Sequence, residues 1–258
     1  MASQVKNVFS RKWLNFPFDP TFQKQWFLER YGWTLEELKR FVKGKTILDA
    51  GCGVGWFAEW MADLGAKKVV AVDFCDFTKT LENDYNLIYL CADITNFSFD
   101  EKFDWINCDQ VIHHTEKPHE TFKHLTSHLK GRGLMTVYVY RKKGMIREGV
   151  DCLLRSVTTC NHYLCLVAST FLTGLGFLLS KINLRFQRAF YWNVMKCFWN
   201  DSFSFGHNVM VNYDWYAPKY AYRFTAYDFI GWFKNMKILK WNSSKSGYSI
   251  RAMRINLW

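Results

Sequence analysis

The chain has 258 residues, 49 % hydrophobic and 22 % charged, which excludes a disordered or fibrous polypeptide and fits one core domain with a substantial insertion. Its net charge of +11 is uneven, with 17 Lys and Arg against 18 Asp and Glu in residues 1–140 but 17 against 5 in residues 141–258. Such a basic half suits phosphates, an anionic membrane surface or an acidic substrate, or forms a solvated face.

Residues 1–45 read as a helical cap. Thr34 and Glu37 form a capping box that opens a helix through Phe41, and Gly44 ends it; an earlier helix is predicted after Asp19-Pro20. From Thr46 onward, apolar runs at 46–49, 68–73, 87–91, 103–108 and 134–140 alternate with helical stretches at 56–64, 77–83 and 117–129. Strands separated by such helices predict βαβ units and a parallel sheet with both faces covered.

Residues 141–220 break this rhythm. They open with the basic turn Arg141-Lys142-Lys143-Gly144 and continue into a mainly helical insertion after the fifth strand. Positions 156–180 contain no Lys, Arg, Asp or Glu. Their most apolar part, 163–179, spans about 25 Å as a helix, short of a ~30 Å hydrocarbon core. This segment reads as a buried or lid helix, as an interfacial helix, or least easily as a membrane span. The basic residues Lys181, Arg185, Arg188 and Lys196 that follow keep the interfacial reading open beside the buried or lid helix. Residues 221–258 complete the core, with Thr225 capping a helix through Phe233 and strands at 237–241 and 248–254.

Eight cysteines without CxxC or paired zinc spacing argue for reduced thiols and against a metal site, and MASQVKNVFSRKW has no apolar core of a signal peptide. The expected location is cytoplasmic, with peripheral contact at the inner membrane face as the alternative.

The stretch Ile47-Leu48-Asp49-Ala50-Gly51-Cys52-Gly53-Val54-Gly55 ends one predicted strand and opens a predicted helix. Glycines there let backbone approach a ligand closely. Asp73 ends the next strand, where a carboxylate can accept ribose hydroxyls. Position 56, where a GxGxxG dinucleotide motif wants its third glycine, is Trp56. The pattern resembles motif I of class I S-adenosylmethionine-dependent methyltransferases. Ala92-Asp93-Ile94, the run from Asp104 through Asp109-Gln110 to His113-His114-Thr115, and Gly131-Arg132-Gly133 resemble later motifs of that family in order. Arg11-Lys12-Trp13, residues 138–144 and residues 214–220 resemble a largely uncharacterised bacterial group within it.

The resemblance implies an α/β, Rossmann-like sheet and S-adenosylmethionine as cofactor. Asp49 would then meet the methionine amino group or cap the glycine turn, Asp73 the ribose, and Asp93 the adenine amino group or an Asx turn. Gly51, Cys52, Gly53, Gly55, Phe74 and Ile94 complete that site, with Asp109 and Gln110 at the methionine end and Trp13 closing over it. His113 and His114 are candidate general bases, because imidazole titrates near neutrality, or they position substrate. Tyr140, Arg141, Trp215 and Tyr216 are candidate acceptor contacts, with a core role as the alternative for the aromatics. A small-molecule or lipid-like acceptor is expected. Asp109-Gln110-Val111-Ile112 lacks the Asn/Asp-Pro-Pro-aromatic motif of base-amine methylation and no Pro-Cys nucleophile is present, which argues against nucleic acid. The alternatives are a nucleic-acid methyltransferase and a non-catalytic cofactor-binding partner protein.

Overall fold

The computed structural model describes residues 2–15 and 20–255. The chain divides into two compact units, a core of residues 19–141 with 222–258 and an inserted unit of residues 1–18 with 142–221. In chain order the elements are α1 (Ala2–Asn15), α2 (Pro20–Tyr31), α3 (Leu35–Val42), β1 (Thr46–Ala50), α4 (Trp56–Asp63), β2 (Lys68–Asp73), β3 (Leu87–Cys91), β4 (Phe103–Cys108), α5 (Pro118–Ser127) and β5 (Leu129–Arg141). Helices α6 (Met145–Thr158), α7 (His162–Ile182), α8 (Leu184–Asn193) and α9 (Phe205–Tyr216) follow. The chain ends with β6 (Arg223–Phe224), α10 (Ala226–Gly231), β7 (Met236–Ser243) and β8 (Gly247–Arg254).

In the core unit the strands run in the order β3-β2-β1-β4-β5-β8-β7, with β6 pairing off β5. The first five are parallel, while β8 is antiparallel to both of its neighbours. Successive side chains on a strand point to opposite faces, and these strands are apolar on both. Ile47, Val69 and Trp105 join Phe27, Leu38 and Phe57 in one buried cluster, whereas Leu48, Val70 and Ile106 join Phe122, Val137 and Phe229 in another. Helices therefore cover both faces, as the binary pattern demands.

Three expectations change. The 1–45 cap is divided, since α1 belongs with the inserted unit while α2 and α3 pack on the core. The helix expected at 77–83 is a single 3₁₀ turn, Asp76–Thr80, followed by an isolated bridge between Asp84 and Leu87. Asp76, Thr78, Thr80, Asn83 and Asp84 favour caps and turns over helix interiors, which explains the loss. Strand β5 starts at Leu129 and runs through Gly131-Arg132-Gly133 with a register shift against β4, so the expected turn is an irregularity within the strand.

The inserted unit is built around polar contacts. On α6, Arg147 and Asp151 form a buried ion pair, and Asp151 also accepts hydrogen bonds from the Trp215 indole at 3.0 Å and the Tyr216 hydroxyl at 3.2 Å. Asn212 of α9 donates to Thr173 of α7 at 2.9 Å, and Gly176 lies against the Cys197 carbonyl. From α1, the Gln4 side chain donates to the Ala217 carbonyl at 2.8 Å and Lys12 pairs with Asp214. A cavity of about 220 Å³ lies among Gln4, Arg11, His162 and Tyr213.

Candidate active site

The carboxyl ends of β1, β2 and β4 form the edge where ligands of open α/β sheets bind. Between β1 and α4 the chain must turn sharply, and Gly51, Gly53 and Gly55 all adopt left-handed φ angles of 88°, 54° and 84°. A Cβ on Gly51 would collide with Val111, and one on Gly55 with the Tyr89 hydroxyl. Two of the glycines thus make room for the protein's own side chains, a reason the ligand-approach reading did not include. The Gly53 amide donates to Asp73 Oδ2 at 3.0 Å and the Cys75 amide to Asp73 Oδ1 at 3.0 Å, so Asp73 ties the glycine loop to the end of β2. Cys52 is buried in that loop, and burial pushes its thiol well above the usual range.

A chain of buried hydrogen bonds crosses three strands to Asp49. The Trp105 indole donates to Thr136 Oγ1 (2.9 Å), Thr136 donates to Asn107 Oδ1 (2.8 Å), and Asn107 Nδ2 donates to Asp49 Oδ1 (2.9 Å). Asp49 Oδ2 is buried without a hydrogen-bond partner among the described residues. Burial lifts this carboxyl to about 7; nearby Asp109 and Asp73 add to the rise and the Asn107 hydrogen bond opposes it. A buried carboxylate oxygen with no donor is costly, and an ammonium group is its natural complement.

Asp109, just past β4, is held by α2. The Arg30 guanidinium pairs with Oδ2, and the Tyr31 hydroxyl donates to Oδ1 at 2.8 Å. Arg30 also lies 3.8 Å over the Trp26 ring, and its Nε and Nη1 are buried without acceptors among the described residues. Gln110 donates weakly to Asp109 at 3.4 Å and takes a left-handed φ of 62°, an uncommon backbone state for a residue other than glycine. Val111 then packs on Gly51, so the loop after β4 is fitted against the glycine turn.

His113 and His114 lie in the 3₁₀ turn that follows, and both are buried. The His113 ring is 3.9 Å from that of Tyr140 and 4.3 Å from that of His114, and its carbonyl accepts from the Tyr222 amide. Arg141, at the end of β5, reaches the Ser244 carbonyl. Asp93 caps its own loop, accepting from the Thr95 amide at 2.9 Å, while Ile94 is buried beneath it and half-buried Phe74 follows Asp73. Trp13 belongs to the inserted unit, where Lys12 lies 4.4 Å over its ring. Trp215 and Tyr216, expected to line an acceptor pocket, are buried in that unit and committed to Asp151. The structure thus brings together Asp49, the glycines, Asp73, Asp109, the two histidines and Tyr140 on the core unit.

Sequence reading missed Arg30, Tyr31, Trp26 and Asn107. For Asn107 a signal existed, a polar residue inside a strand otherwise buried on both faces. For Arg30 and Tyr31 none did, because their shared partner Asp109 lies 79 and 78 positions away.

Residues 48–137 match the family model described as a methyltransferase domain. The ubiquinone biosynthesis O-methyltransferase of Glaesserella parasuis is 32 % identical over 135 residues, covering 46 % of this chain and 57 % of that protein. The tRNA U34 carboxymethyltransferase of Campylobacter hominis is 35 % identical over 106 residues, 37 % of each chain. This chain therefore spans between about a third and a little over half of these curated relatives. A crystal structure of a putative S-adenosylmethionine dependent methyltransferase from Listeria monocytogenes superposes with a TM-score of 0.50 at 15 % identity, covering 86 % of this chain and 97 % of that one, and shows the same fold. Domain match, strand order and the glycine-and-acid edge agree that residues 48–137 are a methyltransferase domain, set in a sheet of the class I S-adenosylmethionine-dependent methyltransferase fold.

Proposed function

We propose that this protein transfers a methyl group from S-adenosylmethionine to a small-molecule or lipid-like acceptor. The observation that carries the reading is Asp49, a buried carboxylate with one unpartnered oxygen beside a glycine loop tied down by Asp73. When bound, the cofactor supplies a methyl group already activated on a sulfonium. The protein's own tasks are then to hold, to orient and to exclude water.

Asp49 is suited to the cofactor's amino group, and Asp73 to its ribose, since each carboxylate oxygen keeps a further lone pair beyond its backbone bond. Asp93 takes the adenine end together with Phe74 and Ile94. At the methionine end Asp109 and Gln110 act through Arg30, whose open guanidinium nitrogens suit a carboxylate. The inserted unit sets acceptor choice. Calorimetry tests the cofactor: tighter binding of S-adenosylmethionine than of NAD is expected, and Asp73→Ala should weaken it by about 1–3 kcal/mol. Preference for NAD would refute the assignment.

An acceptor hydroxyl or ammonium must lose a proton, and His113 or His114 receives it, with Tyr140 bracing the ring pair. Replacing the base by Ala should lower turnover by about 10²–10⁴-fold with little change in cofactor affinity. Should both His113→Ala and His114→Ala keep more than about a tenth of wild-type turnover, neither is the base and both only position substrate.

A further inference from the structure

Helices α6 and α7 are built inside out. The inward positions of α7 are mostly small or polar, namely Cys165, Ser169, Thr173 and Gly176, with Leu172 as the large apolar member. Its outward positions carry large apolar groups, with Tyr163 74 %, Val167 68 %, Phe171 69 % and Ile182 78 % exposed. Of its most apolar stretch only 28 % is buried, so α7 is not the core helix of a water-soluble bundle. On α6 the inward residues are Arg147, Asp151 and Thr158, while Met145, Ile146, Leu153 and Val157 face outward. In water the hydrophobic effect drives the opposite arrangement. Where the surroundings are hydrocarbon, small residues and hydrogen-bonding side chains mediate helix packing and bulky apolar residues face out. Exposed Thr170 also turns its hydroxyl back to the Leu166 carbonyl at 2.9 Å, so its hydroxyl is satisfied without water.

We propose that the inserted unit docks on an anionic lipid bilayer through the outward faces of α6 and α7. Charge favours this occupant: residues 1–18 and 142–221 hold twelve Lys and Arg against four Asp and Glu. Lys181 lies in the last turn of α7, and exposed Arg185 and Arg188 follow on α8 among exposed Leu184 and Phe186, a pairing of cations and apolar side chains suited to a headgroup layer. Although α7, at 21 residues, is about 31 Å long, its polar inward side stays engaged with Asn212, so the helix lies in the interface and does not cross.

The test is sedimentation of the full chain with vesicles, without cofactor. Phosphatidylcholine containing about a third phosphatidylglycerol should carry down roughly tenfold more protein than phosphatidylcholine alone at low salt. The double variant Val167→Asp/Phe171→Asp alters only exposed side chains; it should lose roughly tenfold in vesicle binding while its circular dichroism stays native. Wild-type protein left in the supernatant, or a variant that still sediments, overturns the proposal. A concentration-dependent dimer broken by the double variant, without vesicle binding, assigns the face to a second copy and also overturns it. So does single-stranded RNA binding in place of vesicle binding. S-adenosylmethionine binding, measured on separate vesicle-free aliquots of the same proteins, reports on the core site, so failure of one reading does not imitate failure of the other.

Discussion

Asp49 ends a relay that begins at the Trp105 indole, and that donor-only group fixes the direction of every bond in it. Indole N–H has no acceptor capacity, so it sets the orientation of the Thr136 hydroxyl, which sets the Asn107 amide, which presents N–H to Asp49. One carboxylate oxygen is satisfied and the other waits. The sign of the consequence follows from the raised carboxyl, about 7 against 3.8. Between those values the folded protein holds a proton that the unfolded chain has released, so this group favours folding most below pH ~3.8 and loses that contribution as pH rises to ~7. A cofactor ammonium reverses the preference by stabilising the charged form. Binding of S-adenosylmethionine at pH ~6 should therefore release up to about one proton from wild type, and far less from Asp49→Asn. Calorimetry in two buffers of different ionisation enthalpy measures this directly. Equal apparent enthalpies in both buffers would mean that Asp49 does not meet the amino group.

Among the elements, those fixed by local chemistry were legible from residues alone. The alternating runs located all seven long strands, because each is apolar on the faces it buries. Thr34 with Glu37 and Thr225 with Asp228 form the capping boxes that open α3 and α10, although the sequence pattern marks only the Thr of the second box. What escaped depended on contacts distant in sequence. The turn at Asp76–Thr80 replaced a helix where polar capping residues outweighed periodicity, and β6 exists only because Arg223 and Phe224 meet the end of β5. The candidate site divides in the same way. Asp49, Asp73 and the glycines announce themselves by spacing on one strand–turn–helix, but Arg30 reaches Asp109 only after α2 packs against the sheet, where Ser249 of β8 hydrogen-bonds the Arg30 carbonyl. Trp215 and Tyr216 look like pocket aromatics in sequence, and only the fold shows them spent on Asp151.

At the scale of the molecule, the core unit closes without the insertion. Both apolar clusters of the sheet consist of residues from 19–141 and 222–258. Tyr140 pairs with Arg223 and Arg141 with Phe224, so the two cut ends meet at one strand terminus. Excising residues 1–18 and replacing 142–221 by a short Gly/Ser linker should therefore leave a protein that unfolds cooperatively. Cutting at these boundaries is cleaner than deleting 156–180, which would remove the end of α6 and most of α7 and strip Asn212 of its Thr173 partner. S-adenosylmethionine affinity of the excised core should stay within about tenfold of wild type, because Asp49, Asp73, Asp93 and Arg30 all remain, and one lost contact of ordinary strength costs about 1.4 kcal/mol or less. Vesicle binding should disappear, since the docking face leaves with the insertion, and methyl transfer should disappear with it under the proposed acceptor role of that unit. If the core cannot fold, or loses affinity by more than about a hundredfold, the inserted unit shares in building the cofactor site and its separate role as a docking and acceptor module is wrong.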